Sequence, residues 1–212
     1  MSGLIDISMP LRPGMVAWPG SPNVEAPYFM AMADGAGANA TRLSLDVHCG
    51  THVDAPLHQI DGAAPMSAMR LEDLCGPAAV VDVPGAKRIG AAELERAVPD
   101  GATRVLLKTS NSHGGVAADE FDEDFAALTA EGAQWLVDRG VVLVGIDYLS
   151  IQRYDEDNAT HTILLGAPVV ILEGLTLSHV DPGAYELWCL PIAVPELEAA
   201  PARAVLRPLE KP

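Results

Sequence analysis

Hydrophobic and polar positions alternate along this chain in short blocks. Residues 4–8, 78–83, 104–109, 141–146, 169–172, 187–194 and 203–206 are compact β-rich runs, each bounded by turn-forming residues, and read as strands. Residues 91–98 carry Ala, Leu and Glu at helical density. A second helix begins after Thr129, a good N-cap, runs through Trp135, Leu136 and Arg139, and stops at Gly140. Thr160 predicts a short helical turn through Leu165, broken by Gly166, Ala167 and Pro168. Two β-α-β units follow from this order, which makes the fold α/β and not a bundle or a sandwich.

Three further stretches have their own character. Residues 42–48 alternate cleanly, with Leu43, Leu45 and Val47 on one side and Ser44, Asp46 and His48 on the other, predicting a strand with one wet face. The proline-rich segment 10–27, with Trp18 inside it, predicts an irregular but anchored excursion. Residues 110–124 contain Gly114, Gly115 and five acids between 119 and 124, the pattern of a mobile surface loop.

Composition narrows the partners. The 212 residues are enough for one domain, taken as 1–212, with a sizeable core, and 49% of them are hydrophobic. A net charge of −16 leaves no basic footprint for nucleic acid or anionic lipid. The longest uncharged apolar stretch, 162–172, is too short to span a membrane. Cys49, Cys75 and Cys189 are odd in number, widely spaced and free of any CxxC pair. Together with an amino terminus that lacks a basic region leading into an apolar run, they place the protein in the cytoplasm.

One segment departs from ordinary statistics. Between residues 48 and 58 stand His48, His52, Asp54 and His58, three of the chain's six histidines and a carboxylate. Imidazole and carboxylate are the donors that zinc and manganese accept, so a metal site is the economical explanation of such density. Gly50, the β-branched neighbours and Pro56 argue against a helix here. A straight strand would hold the Cα atoms of His48 and His52 roughly 13 Å apart. A bend at Cys49 and Gly50 is therefore expected to fold the chain around the ion. Far along the sequence, His161 and Glu173 are candidates to complete the shell or to hold a second ion.

The run HCGTHVDAPLH from His48 to His58 resembles the HxGTHxDAPxH signature of the cyclase-type metal-dependent hydrolases, the family of kynurenine formamidase (arylformamidase) and isatin hydrolase. The resemblance extends to Ile5–Ser8 with Pro10 and Leu11, to Trp18-Pro19-Gly20, to 104–109, to Gly145-Ile146-Asp147 with Ser150, and to His161 and Glu173. It implies a single domain with a mixed, partly closed central sheet flanked by helices, in a homodimer or higher homo-oligomer. It further implies that His48, His52 and Asp54 bind one divalent ion, zinc or manganese, while Asp54 bridges to a second ion held also by His161 and Glu173. A bridging carboxylate suits such a pair because it offsets the repulsion between two dications. His58 matches the general base and acid, and Trp18 a segment that contributes to an aromatic-binding pocket.

The implied chemistry is hydrolysis of a small amide by metal-activated water, with arylformamidase activity as the first reading. A ring-opening hydrolase of a cyclic amide or lactone, or a cyclase or dehydratase of a polyketide-type substrate, is the second. A metal-stabilised binding scaffold is the third, and it gives His58 nothing to do. This chain has Gln59 where the family often carries an aromatic residue, and only 5% of its residues are aromatic, which weighs against an aryl substrate. Trp135 reads as core, Asp147 as a strand-end residue, and His113 and His179 as surface histidines. Cys49 lies between ligand positions without a base to make it a nucleophile.

Overall fold

A computed structural model of the chain describes residues 3–113, 120–154, 156–167 and 169–209. Eight strands form one sheet: β1 (Ile5–Asp6), β2 (His52–Asp54), β3 (Cys75–Val83), β4 (Arg104–Thr109), β5 (Leu143–Ile146), β6 (Val170–Glu173), β7 (Gly183–Pro191) and β8 (Ala199–Pro208). Their spatial order is β1-β8-β7-β3-β4-β5-β6-β2. The sheet closes because the first residues of β8 pair with β2, Ala199 facing Asp54 and Pro201 facing His52. β1 occupies the remainder of the same edge, with Ile5 opposite Leu206.

Strands β3, β4, β5 and β6 run parallel, and the other pairings within this sheet are antiparallel. Parallel neighbours need crossovers. Those crossovers contain α1 (Ala91–Ala97), α2 (Ala130–Asp138) and α3 (Ala159–Gly166). Thr129 caps α2 as predicted, its hydroxyl accepting from the Gly132 N–H at 3.2 Å. Thr160 does not cap α3; the cap position is Asn158, two residues earlier, and Thr160 is buried inside the helix.

Two apolar layers result. Val53, Val80, Leu106, Leu143, Leu172, Leu187 and Leu206 come from seven different strands and fill the inside of the barrel. Val81, Leu107, Val144 and Ile171 point outward from the parallel strands and meet Leu94, Leu136 and Leu164 of the helices. The period of two in each strand assigns one set inward and the other outward.

Residues 42–48 do not form the expected strand. Ser44 makes a single bridge with Glu25, and the segment lies over the surface with Leu43 exposed. Leu45 alone packs against the core from that apolar set, so the alternation marked an extended cover and not a sheet member. A two-stranded ribbon of Tyr28–Met30 with Ala40–Thr41, unannounced by any pattern, precedes it. In the acidic segment, Ser110–His113 is a turn of 3-10 helix, Phe125 is fully buried, and the Asp122 N–H donates to the Tyr148 hydroxyl oxygen. Residues 114–119 and the side chain of His113 lie outside the described residues, as does Pro168.

Candidate metal centre

The outward positions at the closure of the barrel carry polar side chains. On β2, Val53 points into the barrel, so His52 and Asp54 point out. On β6, Leu172 points in and Glu173 out. The antiparallel register places Glu173 directly opposite His52, which brings residues far apart in sequence side by side. α3, the crossover that feeds β6, lowers His161 onto the same spot.

Two glycines allow the approach. Gly50 has φ +66°, the bend expected between His48 and His52, and Gly174 has φ +68°. A Cβ on Gly174 would sit 2.1 Å from the Gly50 carbonyl oxygen, so only glycine lets these two turns touch. Thr51 fastens them together, donating to the Gly174 carbonyl at 2.6 Å. His48 is carried on the turn before the bend, and His58 ends a single 3-10 turn, Pro56–His58, that begins with a proline at its first position.

Asp54 lies at the middle of the group. Its Oδ1 is 3.1 Å from His48 Nδ1 and 3.5 Å from His52 Nε2, and its Oδ2 is 3.8 Å from His161 Nε2. Glu173 reaches His52 Nε2 at 3.2 Å and His161 Nε2 at 3.3 Å. The donor atoms of His52, Asp54 and Glu173 all lie within 4.8 Å of one another, and the same holds for His48, Asp54 and His58. Asp54 belongs to both sets.

Orientation makes the arrangement informative. His52 Nδ1–H donates to the Gly50 carbonyl at 3.0 Å, which leaves the Nε2 lone pair facing two carboxylates. His161 is turned the same way, with Nδ1 held 3.3 Å from Gln152 Oε1. The Ile151 N–H fixes Glu173 by donating to Oε1 at 2.7 Å. His52 Nε2 and both oxygens of Asp54 are buried with no hydrogen-bond partner among the described residues. Acceptors converging on acceptors in a dry place repel one another unless something positive lies between them.

The acid–base balance shows the same demand. Burial acts to lower the pKa of His52, but Glu173 and Asp54 outweigh it and the imidazole is pushed up to about 9. His161 is raised in the same way, with Glu173 overcoming burial. Burial acts to raise Glu173, yet the two histidines hold it well below the usual carboxylate range. Without an ion the site gathers protons; a divalent cation would satisfy the same lone pairs. The donor set is nitrogen and carboxylate oxygen only. Cys49 is buried, its thiol donates to Met15 Sδ at 3.7 Å, and burial followed by Asp46 pushes its pKa up, so it stays out of that set.

His48, His58, His161 and Glu173 open onto a cleft of roughly 330 Å3, which Trp18 and Tyr154 also line. The His58 ring lies 4.2 Å from that of His48 and 5.6 Å from that of His161. Burial pushes the His58 pKa down from its ordinary value, with Asp54 opposing. Trp18 contacts Phe121 at 5.2 Å and Tyr154 at 5.4 Å, and Phe125 stacks on Tyr148 at 4.2 Å behind them. Aromatic residues are few in this chain, but these five cluster together, Trp18 and Tyr154 lining the cleft and Phe125 and Tyr148 fully buried. Phe121, Phe125, Tyr148 and Tyr154 carry no motif that singles them out in the sequence.

Other candidates lie elsewhere. Trp135 is half-buried on α2, with its Nε1–H donating to Glu95 at 3.1 Å and Arg139 over its ring. His179 is a surface residue bonded to the Asp6 carbonyl. Asp147 is wholly buried and takes bonds from the Thr109 N–H and hydroxyl and from Ser112, pinning the turn at 110–113. Sequence reading missed Glu198, brought to within 3.8 Å of His48 Nε2 just before β8, and the amides of Gln152 and Asn158.

The model of the Putative cyclase family matches residues 5–153. A kynurenine formamidase of Bacillus cereus is 36% identical over 206 residues, covering 97% of this chain and 97% of that protein. Cyclase-like protein 1 of Arabidopsis thaliana is 37% identical over 96% of this chain and 84% of its own length. Among solved structures, one described as a potential metal-dependent hydrolase with cyclase activity superposes with a TM-score of 0.86 at 32% identity, each chain covered completely. Isatin hydrolase A of Labrenzia aggregata, at 19% identity and TM-score 0.79 over 98% of this chain and 94% of its own, shares the fold. Family match, full-length relatives and fold agree, and the chain belongs to the cyclase family.

Proposed function

We propose that the protein is a metal-dependent hydrolase of small amides, of the arylformamidase kind, working on an N-formyl aromatic amine. The observation that carries this reading is the set of buried, partnerless donor atoms of His52 and Asp54, held against His48, His161 and Glu173, which line a cleft together with His58, Trp18 and Tyr154. His48, His52 and Asp54 would hold one ion and Asp54, His161 and Glu173 a second, zinc or manganese by donor type. When bound, such an ion supplies Lewis acidity, lowering the pKa of a water and stabilising negative charge on the substrate oxygen.

The chain's own residues do the rest. Trp18 and Tyr154 receive the aryl group and keep bulk water from the reacting carbonyl. His58 takes a proton from the attacking water and returns it to the leaving nitrogen, a task suited to a neutral imidazole. The kynurenine formamidase relatives at about 36% identity support the amide reading, and a homo-oligomer in the cytoplasm is the expected setting.

The test is a screen of the zinc- and manganese-loaded protein against N-formylkynurenine, isatin, simple lactones and simple amides. Turnover of the formyl amide in preference to the rest is expected. Turnover of isatin or a lactone with none of the formyl amide would transfer the protein to the ring-opening reading.

A further inference from the structure

Three side-chain amides run in series between two histidines of the centre. His161 Nδ1 and the His161 backbone N–H both lie against Gln152 Oε1, at 3.3 and 3.4 Å. Gln152 Nε2 faces Asn158 Oδ1 at 3.4 Å, Asn158 Nδ2 faces Gln59 Oε1 at 2.9 Å, and Gln59 Nε2 faces His58 Nε2 at 3.1 Å. An amide has one end that accepts and one that donates, so the direction of the whole series depends on its fixed end. A main-chain N–H can only donate. It therefore sets Gln152 with its oxygen toward His161, and each amide after it is set in turn, so that Gln59 presents N–H to His58.

We propose that Gln59, Asn158 and Gln152 form a one-way amide relay that orients His58, holding Nε2 as the lone-pair nitrogen and the ring proton on Nδ1. The relay makes Nε2 the atom that accepts the proton in catalysis, with the Gln59 amide keeping its place until water arrives. At the other end it holds His161 Nδ1–H, leaving Nε2 free for the ion. Asn158 supplies independent support. It stands at the N-cap of α3 and is among the best capping residues, yet its side chain makes no cap hydrogen bond and turns to the two glutamines instead. Gln59 is also the residue at which this chain departs from the aromatic residue often found after the last histidine of the motif. These are positioning residues, acting through the histidines.

The part of this inference that concerns rate rests on the hydrolase reading, and the experiment separates the two. Long-range 1H–15N correlation spectra of zinc-loaded protein labelled with 15N-histidine report which ring nitrogen of His58 carries the proton, with no substrate present; the His58→Asn variant identifies the signal. Wild type is expected to show Nε2 unprotonated. Gln59→Glu replaces the donor by an acceptor and is expected to move the proton to Nε2. Gln59→Leu and Asn158→Leu are expected to give a mixture of tautomers. On whichever substrate the screen identifies, Gln59→Leu should lower kcat about tenfold with KM nearly unchanged. A wild-type His58 protonated on Nε2, or one tautomer retained through all three variants, would overturn the relay whatever the substrate proves to be. If Gln59→Glu fails to fold, Gln59→Leu and Asn158→Leu decide alone.

Discussion

The inside and the outside of this barrel follow one alternation and meet opposite fates. Inside, Val53, Leu172, Leu106 and their neighbours close on one another. Outside, the same two strands that contribute Val53 and Leu172 present His52, Asp54 and Glu173, all buried and in excess of acceptors. Apolar burial stabilises the fold without specifying a ligand, at about 25 cal/mol per Å2. Polar burial of this kind costs stability until a cation arrives. Adjacent residues on one strand thus separate stability from chemistry, and single substitutions can address either face.

The largest effect is expected at the residue shared by both donor sets. Asp54→Asn keeps the shape and removes the charge that both sets use. Metal content measured by elemental analysis should fall to background and kcat by roughly 10³-fold or more, about 4 kcal/mol of barrier, while the circular dichroism spectrum is kept. Full metal occupancy in this variant would remove Asp54 from the centre. His58→Ala should lower kcat by about 10²–10⁴-fold and leave metal content intact. A His58 variant with wild-type kcat would end its assignment as the proton carrier, and one that loses metal would make it a ligand, a role its closeness to His48 and Asp54 keeps open to measurement.

The inward face should answer differently. Leu172→Ala opens a cavity inside the barrel one residue away from Glu173 and should cost about 2–5 kcal/mol by denaturant unfolding. Metal affinity and kcat of the folded fraction should change little. If Leu172→Ala disturbed metal binding as strongly as Asp54→Asn, the two faces would be coupled through the strand and the separation drawn above would fail.

How much of this was legible beforehand depends on distance along the chain. The helix after Thr129 and the parallel strands were visible because local signals, a cap and β-branched runs, set them. The 48–58 cluster was visible because its donors are dense in sequence, and the bend at Gly50 followed from geometry alone. Glu173 had no local signal; its place depends on the register of β6 against β2, which only closure of the barrel fixes. Residues 42–48 misled because period-two alternation records an extended chain over a half-buried surface, with or without strand partners. Beyond Trp18 and Gln59, the aromatic cluster and the amide relay were hidden for a third reason. Each is assembled from single residues on different loops, and composition averages them away.

The smallest effect tests the outside face by titration. His52 is raised to about 9 from an ordinary 6.5, so its contribution to the metal-free fold is complete below 6.5 and is lost as pH rises through 9. Glu173 is depressed from 4.5, so its contribution is present above 4.5 and is lost as pH falls. With respect to this pair, the metal-free protein is most stable between those limits. Raising the pH from 6.5 to 9.5 should remove on the order of 2 kcal/mol, a drop of about 5 °C in Tm for a chain of this size. The zinc-loaded protein should not show that drop, since the cation has replaced the proton between His52 and Glu173 and a neutral imidazole is the form it binds. Equal slopes of Tm against pH with and without zinc would mean that proton and metal do not compete for one place, and that the partnerless nitrogen of His52 faces no ion.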